Sequence, residues 1–155
     1  MKYPKSWKAT TDRGYLELES PDGKVTGAVA PTATRSPGGG WFTRPTHPLV
    51  GDETGLSKQL GQRVSTYSTY LPAPPRSDKE DSVLWGLTES DNRGIVSLPK
   101  GGKKNDLWVE FYYSPVNEGN RPLPQREGVE LVHKINQTDD AGTVDAILKS
   151  IRVSE

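Results

Sequence analysis

The two ends of this chain constrain its fold more than anything between them. In Asp140-Ala141-Gly142-Thr143-Val144-Asp145-Ala146-Ile147-Leu148-Lys149-Ser150-Ile151, the residues Val144, Ile147, Leu148 and Ile151 fall at i, i+3, i+4 and i+7, the apolar stripe of an amphipathic helix. Asp139 or Asp140 is placed to accept from the first N–H groups, and Lys149 and Arg152 suit the negative end of the helix dipole. Such a helix needs a flat apolar partner. The chain offers one in Leu107-Trp108-Val109-Glu110-Phe111-Tyr112-Tyr113, where Leu107, Val109, Phe111 and Tyr113 share one face and Trp108, Glu110 and Tyr112 the other. That segment is expected to be a central strand. The opposite end, Met1-Lys2-Tyr3-Pro4-Lys5-Ser6-Trp7, is a short aromatic and proline-containing lead-in.

Between the ends the pattern is mostly that of short strands. Gly14-Tyr15-Leu16-Glu17-Leu18-Glu19 alternates with period two, Ser20-Pro21-Asp22-Gly23 is turn chemistry, and Lys24 to Ala30 reads as the return strand of a hairpin. Leu56, Leu60, Val64 and Tyr67 sit at helical spacing, which predicts a helix capped by Thr54 and ending before Pro72. Pro72 to Asp81 reads as a stiff solvated connector. Val83 to Thr88 is a strand, Asp91 to Gly94 a turn and Ile95 to Leu98 its partner, and Pro99 to Asn105 is a basic Gly-rich turn. Val129 to Ile135, with Val129, Leu131, His133 and Ile135 alternating, is read as a further strand that leaves His133 partly buried.

Residues 1–155 therefore predict a single α+β domain: one antiparallel sheet of about six to seven strands flanked by two main helices. Only 32% of residues are hydrophobic, and sixteen glycines and thirteen prolines predict long ordered loops. The chief of these is a Gly/Pro-rich insertion at 31–52. It holds Gly38-Gly39-Gly40 and then Trp41-Phe42, with Arg44 and His47 close behind. Aromatic and arginine side chains dominate contact energetics, so Trp41, Phe42, Arg44 and His47 form the candidate protein-contact site. The plainer alternative is that the two rings pin the loop to the core.

Tyr3-Pro4-Lys5-Ser6-Trp7 before a hairpin resembles the "YP-x-x-W" opening of a superfamily holding the PsbP extrinsic protein of photosystem II, a yeast Ran-binding nuclear transport factor and DcrB-type bacterial lipoproteins. Val144 to Ile151 resembles that family's terminal helix, with its hydrophobic-x-Ser-hydrophobic finish. The resemblance implies a PsbP-like sandwich that binds or assembles rather than catalyses. It also favours a cell-envelope setting, with a leader removed, over the cytoplasm. The insertion at 31–51 and the connector around Pro74 depart from the family pattern.

Composition narrows the chemistry. Twenty basic and twenty acidic residues balance, so there is no basic footprint for nucleic acid, and no apolar run approaches the ~20 residues of a spanning helix. No cysteine is present, which excludes disulfides, thiol nucleophiles and cysteine-held metals. The two histidines, His47 and His133, show no metal spacing, and neither Gly38-Gly39-Gly40 nor Gly101-Gly102-Lys103-Lys104 sits in a phosphate-loop context. No catalytic residue, cofactor site or metal site is assigned. Asn136-Gln137-Thr138 matches a glycosylation sequon beside a helix start. The expectation is a non-enzymatic protein-binding or assembly domain, associated with an envelope or a larger complex, whose partner is another protein. The alternatives are a cytosolic inhibitor or immunity-type protein, and a small hydrolase using dispersed carboxylates with His47 or His133.

Overall fold

A computed structural model describes residues 1–31, 47–73, 80–89, 92–93, 95–98, 106–116 and 121–154. The chain runs β1 (Lys8–Asp12), β2 (Tyr15–Glu19), β3 (Val25–Pro31), β4 (Leu49–Glu53), α1 (Gly55–Leu60), β5 (Ser65–Leu71), β6 (Ser82–Glu89), β7 (Asn92–Arg93), β8 (Ile95–Val96), β9 (Leu107–Tyr113), α2 (Gln125–Ile135) and α3 (Asp139–Ser150). The strands form one antiparallel sheet in the order β1-β2-β3-β9-β6-β5-β4, with β7 on β6 and β8 on β9. Nine strands are described where six to seven were expected, and three helices where two main ones were.

Central placement of β9 goes with burial on both of its faces. It pairs with β3 over Val25↔Tyr113 to Pro31↔Leu107 and with β6 over Val83↔Tyr113 to Gly86↔Glu110. One sheet face carries Val83, Trp85, Leu87, Val109 and Phe111 into the main core, where they meet Val132, Ile135, Val144, Ile147 and Leu148 from α2 and α3. Full burial of a side chain such as Ile147 or Leu148 contributes about 1.5–3 kcal/mol. Gly27 sits opposite Phe111, and a Cβ there would lie 2.2 Å from Phe111 Cδ1, so the glycine makes room for a fully buried core ring.

The helix expected from Leu56 to Tyr67 is corrected to a six-residue α1 followed by a strand. Gly61 takes φ 67°, a left-handed residue that stops the helix, and its N–H caps back to the Ser57 carbonyl at 2.9 Å. Beyond it, Ser65-Thr66-Tyr67-Ser68-Thr69-Tyr70-Leu71 is β-branched and aromatic, and it pairs in unbroken register with β6 from Ser65↔Thr88 to Leu71↔Ser82. The strand expected from Val129 to Ile135 is α2. Gly128, Leu131, Val132 and Ile135 carry a helical i, i+3, i+4, i+7 stripe toward the core, and His133 is exposed rather than partly buried. Ile95–Val96 pairs with β9, not with β6. Leu49–Glu53, of which Leu49 to Asp52 were assigned to the insertion, is the edge strand β4. The turn 99–105 and most of the connector 72–81 lie outside the described residues.

The chain ends meet as structure. Trp7 is buried and stacks edge-on to Phe111 at 6.4 Å, while the Lys2 N–H donates to Ser150 Oγ at 2.7 Å. Cap geometry at α3 differs from expectation: Thr138, not an aspartate, is the N-cap, accepting from the Ala141 N–H, and Asp139 and Asp140 occupy the first turn. Among the described residues, no helix is long and apolar enough to cross a membrane.

Candidate functional site

Two concavities lie in line along α2. The first is a cleft of about 430 Å³ between edge strand β4 and the α2–α3 corner, lined by Leu49 to Asp52, Thr66 to Ser68, Trp85, His133, Asn136, Ala141, Gly142, Asp145 and Leu148. The second is a groove of about 360 Å³ at the other end of α2, lined by His47, Thr69, Tyr70, Pro72, Pro122, Leu123, Gln125, Gly128 and Val129. Gln125, Val129, His133 and Asn136 recur at i, i+4, i+8 and i+11, so a single stripe of α2 borders both. The segment 47–52 forms the opposite bank, with His47 at the groove and Leu49 to Asp52 at the cleft.

The floor of the cleft is a hydrogen-bonded corner. Trp85 Nε1 donates to Asn136 Oδ1 at 2.7 Å, and Asn136 Nδ2 donates to Ser68 Oγ at 2.9 Å. One side-chain amide thus ties β6 and β5 to the end of α2. Small residues open the mouth: a Cβ added to Gly142 would meet nothing within 4 Å. Lys149 closes one end, its ammonium lying 2.6 Å from Asp52 Oδ2 on β4 and 2.7 Å from Asp145 Oδ2 on α3. The hydrogen bond and charge of Lys149 hold the Asp52 carboxyl below its ordinary value, and Asp145 and Asp52 together raise the ammonium.

Tyr70 organises the groove. Its hydroxyl donates to Asp81 and accepts from the Leu123 N–H at 3.1 Å, while Asp81 also accepts from the Ala73 N–H at 2.7 Å. Gly128 brings α2 down onto the Tyr70 ring, where a Cβ would lie 2.8 Å from Cδ1. The walls are Pro72, Pro122, Leu123 and Val129.

Of the sequence-assigned contact residues, His47 is exposed at the groove, and Trp41, Phe42 and Arg44 lie outside the described residues. His133 does share a cleft with carboxylates, as a hydrolase would need. Those carboxylates, Asp52 and Asp145, are counter-ions of Lys149, and the low-lying Asp52 carboxyl is a poor proton donor near neutrality. Among the described residues, no three His, Cys, Asp or Glu side chains gather as a metal centre requires. Sequence reasoning missed Asn136, Trp85 and Ser68 as a unit. Asn136 was legible only as a sequon, and both ends of its amide are engaged within the protein. No family model matches the chain, and no curated protein or solved structure matches it significantly.

Proposed function

We propose that this chain is a non-enzymatic protein-binding or assembly domain of PsbP-like architecture. It holds an extended segment of another protein in the furrow between α2 and residues 47–52. The observation that carries this reading is the alignment of two concavities along one helix, opposite the bank that ends the Gly/Pro-rich insertion. The eleven residues of α2 span about 16 Å, enough for roughly five residues of extended chain. Half-buried apolar side chains at Leu49, Pro72, Leu123 and Val129 supply contact area, and the Asn136 corner in the floor is already satisfied internally. The PsbP-like reading is supported by the docking of the N-terminal signature, with Trp7 against Phe111 of the central strand and the Lys2 N–H on Ser150 of the terminal helix.

The test is selection of binding peptides from a displayed random library, followed by affinity measurements on Val129→Arg and Gly142→Leu. Each variant should lose about tenfold or more, corresponding to ~1.4 kcal/mol. Peptides that bind both variants as well as the wild type would remove the furrow from consideration. Replacing Trp41 and Phe42 together by Ala should weaken the same peptides without changing the melting temperature. A stability loss of ~3–5 kcal/mol would instead assign those rings to the core.

A further inference from the structure

At the sheet edge remote from the furrow lies β1, Lys8-Ala9-Thr10-Thr11-Asp12, with all five residues exposed. Its inner side pairs with β2 without irregularity, Lys8↔Glu19 through Asp12↔Tyr15. The connecting residues Arg13 and Gly14 have φ 46° and 85°, a two-residue turn of the I′ kind, which closes on a doubly hydrogen-bonded pair. Asp12, Thr10 and Lys8 therefore direct their backbone groups at β2. Ala9 and Thr11 direct theirs outward, because the ladder alternates.

Edge strands are usually defended by charge, bulge or proline. β1 has neither bulge nor proline, and its two charges are of opposite sign at the two ends. That arrangement repels many strands but complements itself. A two-fold axis through Thr10 sets Ala9 against Thr11 of a second copy, twice, giving four backbone hydrogen bonds. It sets Thr10 against Thr10, and Lys8 against Asp12 at both ends. The Lys–Asp and Thr–Thr pairs fall at the non-hydrogen-bonded positions, where side chains lie closest. Lys8, Thr10 and Asp12 share one face, so each opposed pair meets on the same side of the joined sheet. A two-fold at Ala9 or Thr11 shortens the ladder and leaves both charges facing uncharged residues. Both charges have only long contacts within their own chain: the Lys8 ammonium comes no nearer than 3.8 Å to Glu19 Oε2 on a side chain 76% exposed, and Asp12 Oδ2 accepts from the Tyr15 hydroxyl at 3.3 Å.

We propose that β1 is a self-association edge, and that two copies of this chain pair antiparallel through Lys8–Asp12 into one continuous sheet. The contact is short, about 17 Å of strand, far below the ~800 Å² per partner of a standard interface. The dimer is accordingly weak, with a dissociation constant on the order of 10⁻⁴ M.

Sedimentation velocity from about 10 μM to about 1 mM reads the association directly. Wild type should pass from monomer to dimer over that range and shift back toward monomer at high salt. Lys8→Asp and Asp12→Lys each place like charges opposite at both ends and should weaken the dimer about tenfold or more. The double variant Lys8→Asp/Asp12→Lys restores the pairing and should return to within about threefold of wild type. Ala9→Pro removes an outward N–H without touching the β2 ladder and should also abolish association. Thermal melts establish that each variant is folded. A wild type that stays monomeric, single variants that dimerise like wild type, or a double variant that fails to recover would each overturn the proposal.

Discussion

Two glycines that look alike in sequence should respond to the same substitution with opposite signs. A Cβ at Gly61 or at Gly142 would meet nothing within 4 Å, so packing contributes to neither change. Alanine restricts the unfolded chain equally at both sites, and that contribution cancels in the comparison. What differs is the backbone. Gly142 is within α3, where alanine keeps that gain in full, about 0.5–1 kcal/mol over glycine. Gly61 is the left-handed stop of α1 at φ 67°, where an L side chain costs roughly 1–2 kcal/mol. The variants should therefore differ by about 1–2 kcal/mol, the left-handed cost alone, and at this chain length each kcal/mol moves the melting temperature by ~2–4 °C. Urea unfolding with an unchanged m-value is the assay, so that a shift in midpoint reports stability alone. Gly142→Ala above wild type and Gly61→Ala below it is the expected order. Two shifts of the same sign would refute the assignment of helix end and helix interior on which the fold rests.

Asn136→Ala should cost about 1–3 kcal/mol, because the buried Trp85 indole N–H loses its acceptor. In a double-mutant cycle with Trp85→Phe, a coupling below about 0.5 kcal/mol would show that water replaces the amide. The Lys149 strap sets a pH window. The folded Asp52 carboxyl titrates below its ordinary value, so its contribution is present above about 3.9 and is lost as pH falls through the lower folded value. Lys149 is raised, so its contribution is present below about 10.4 and is lost as pH rises through the higher folded value. An NMR titration of the Asp52 carboxyl should therefore move up toward the ordinary value in Lys149→Met, and an unmoved midpoint would dismiss the strap.

The parts of the fold that were legible are those where one local rule dominates. The turn at Asp22 is an example: its carboxylate accepts from Ser20 Oγ at 2.8 Å and from the Lys24 N–H at 3.1 Å, chemistry already written in Ser-Pro-Asp-Gly. β9 and α3 were legible because their periods are unambiguous over seven and twelve residues. β1 carried no signal, since a strand with five exposed residues has no alternation to detect. The helix–strand errors share one cause. Leu56 to Tyr67 fits a helical period only if Gly61 is ignored, and Val129 to Ile135 alternates only if the adjacent Leu131 and Val132, both turned to the core, are separated. In each case a short apolar run fitted two periods, and tertiary burial decided between them.

The candidate site was less legible for a different reason: its parts are assembled by register. Ser68 and Trp85 face each other because β5 and β6 pair Ser68↔Trp85, and Asn136 reaches both because α2 runs back across them. No window of the chain contains that triad, which spans 68 positions between Asn136 and Ser68. The same geometry reinterprets the sequon. A glycan on Asn136 would substitute the nitrogen that donates to Ser68 and crowd the oxygen that accepts from Trp85, so attachment and the closed corner compete for one amide. The corner also fixes the last turn of α2, on which His133 borders the cleft, so whatever loosens Asn136 reshapes the bank of the furrow. Under the proposed peptide-binding reading, stability and recognition are therefore coupled at this residue. Asn136→Ala should weaken peptide capture as well as folding, even though a peptide in the furrow need not touch the amide at all.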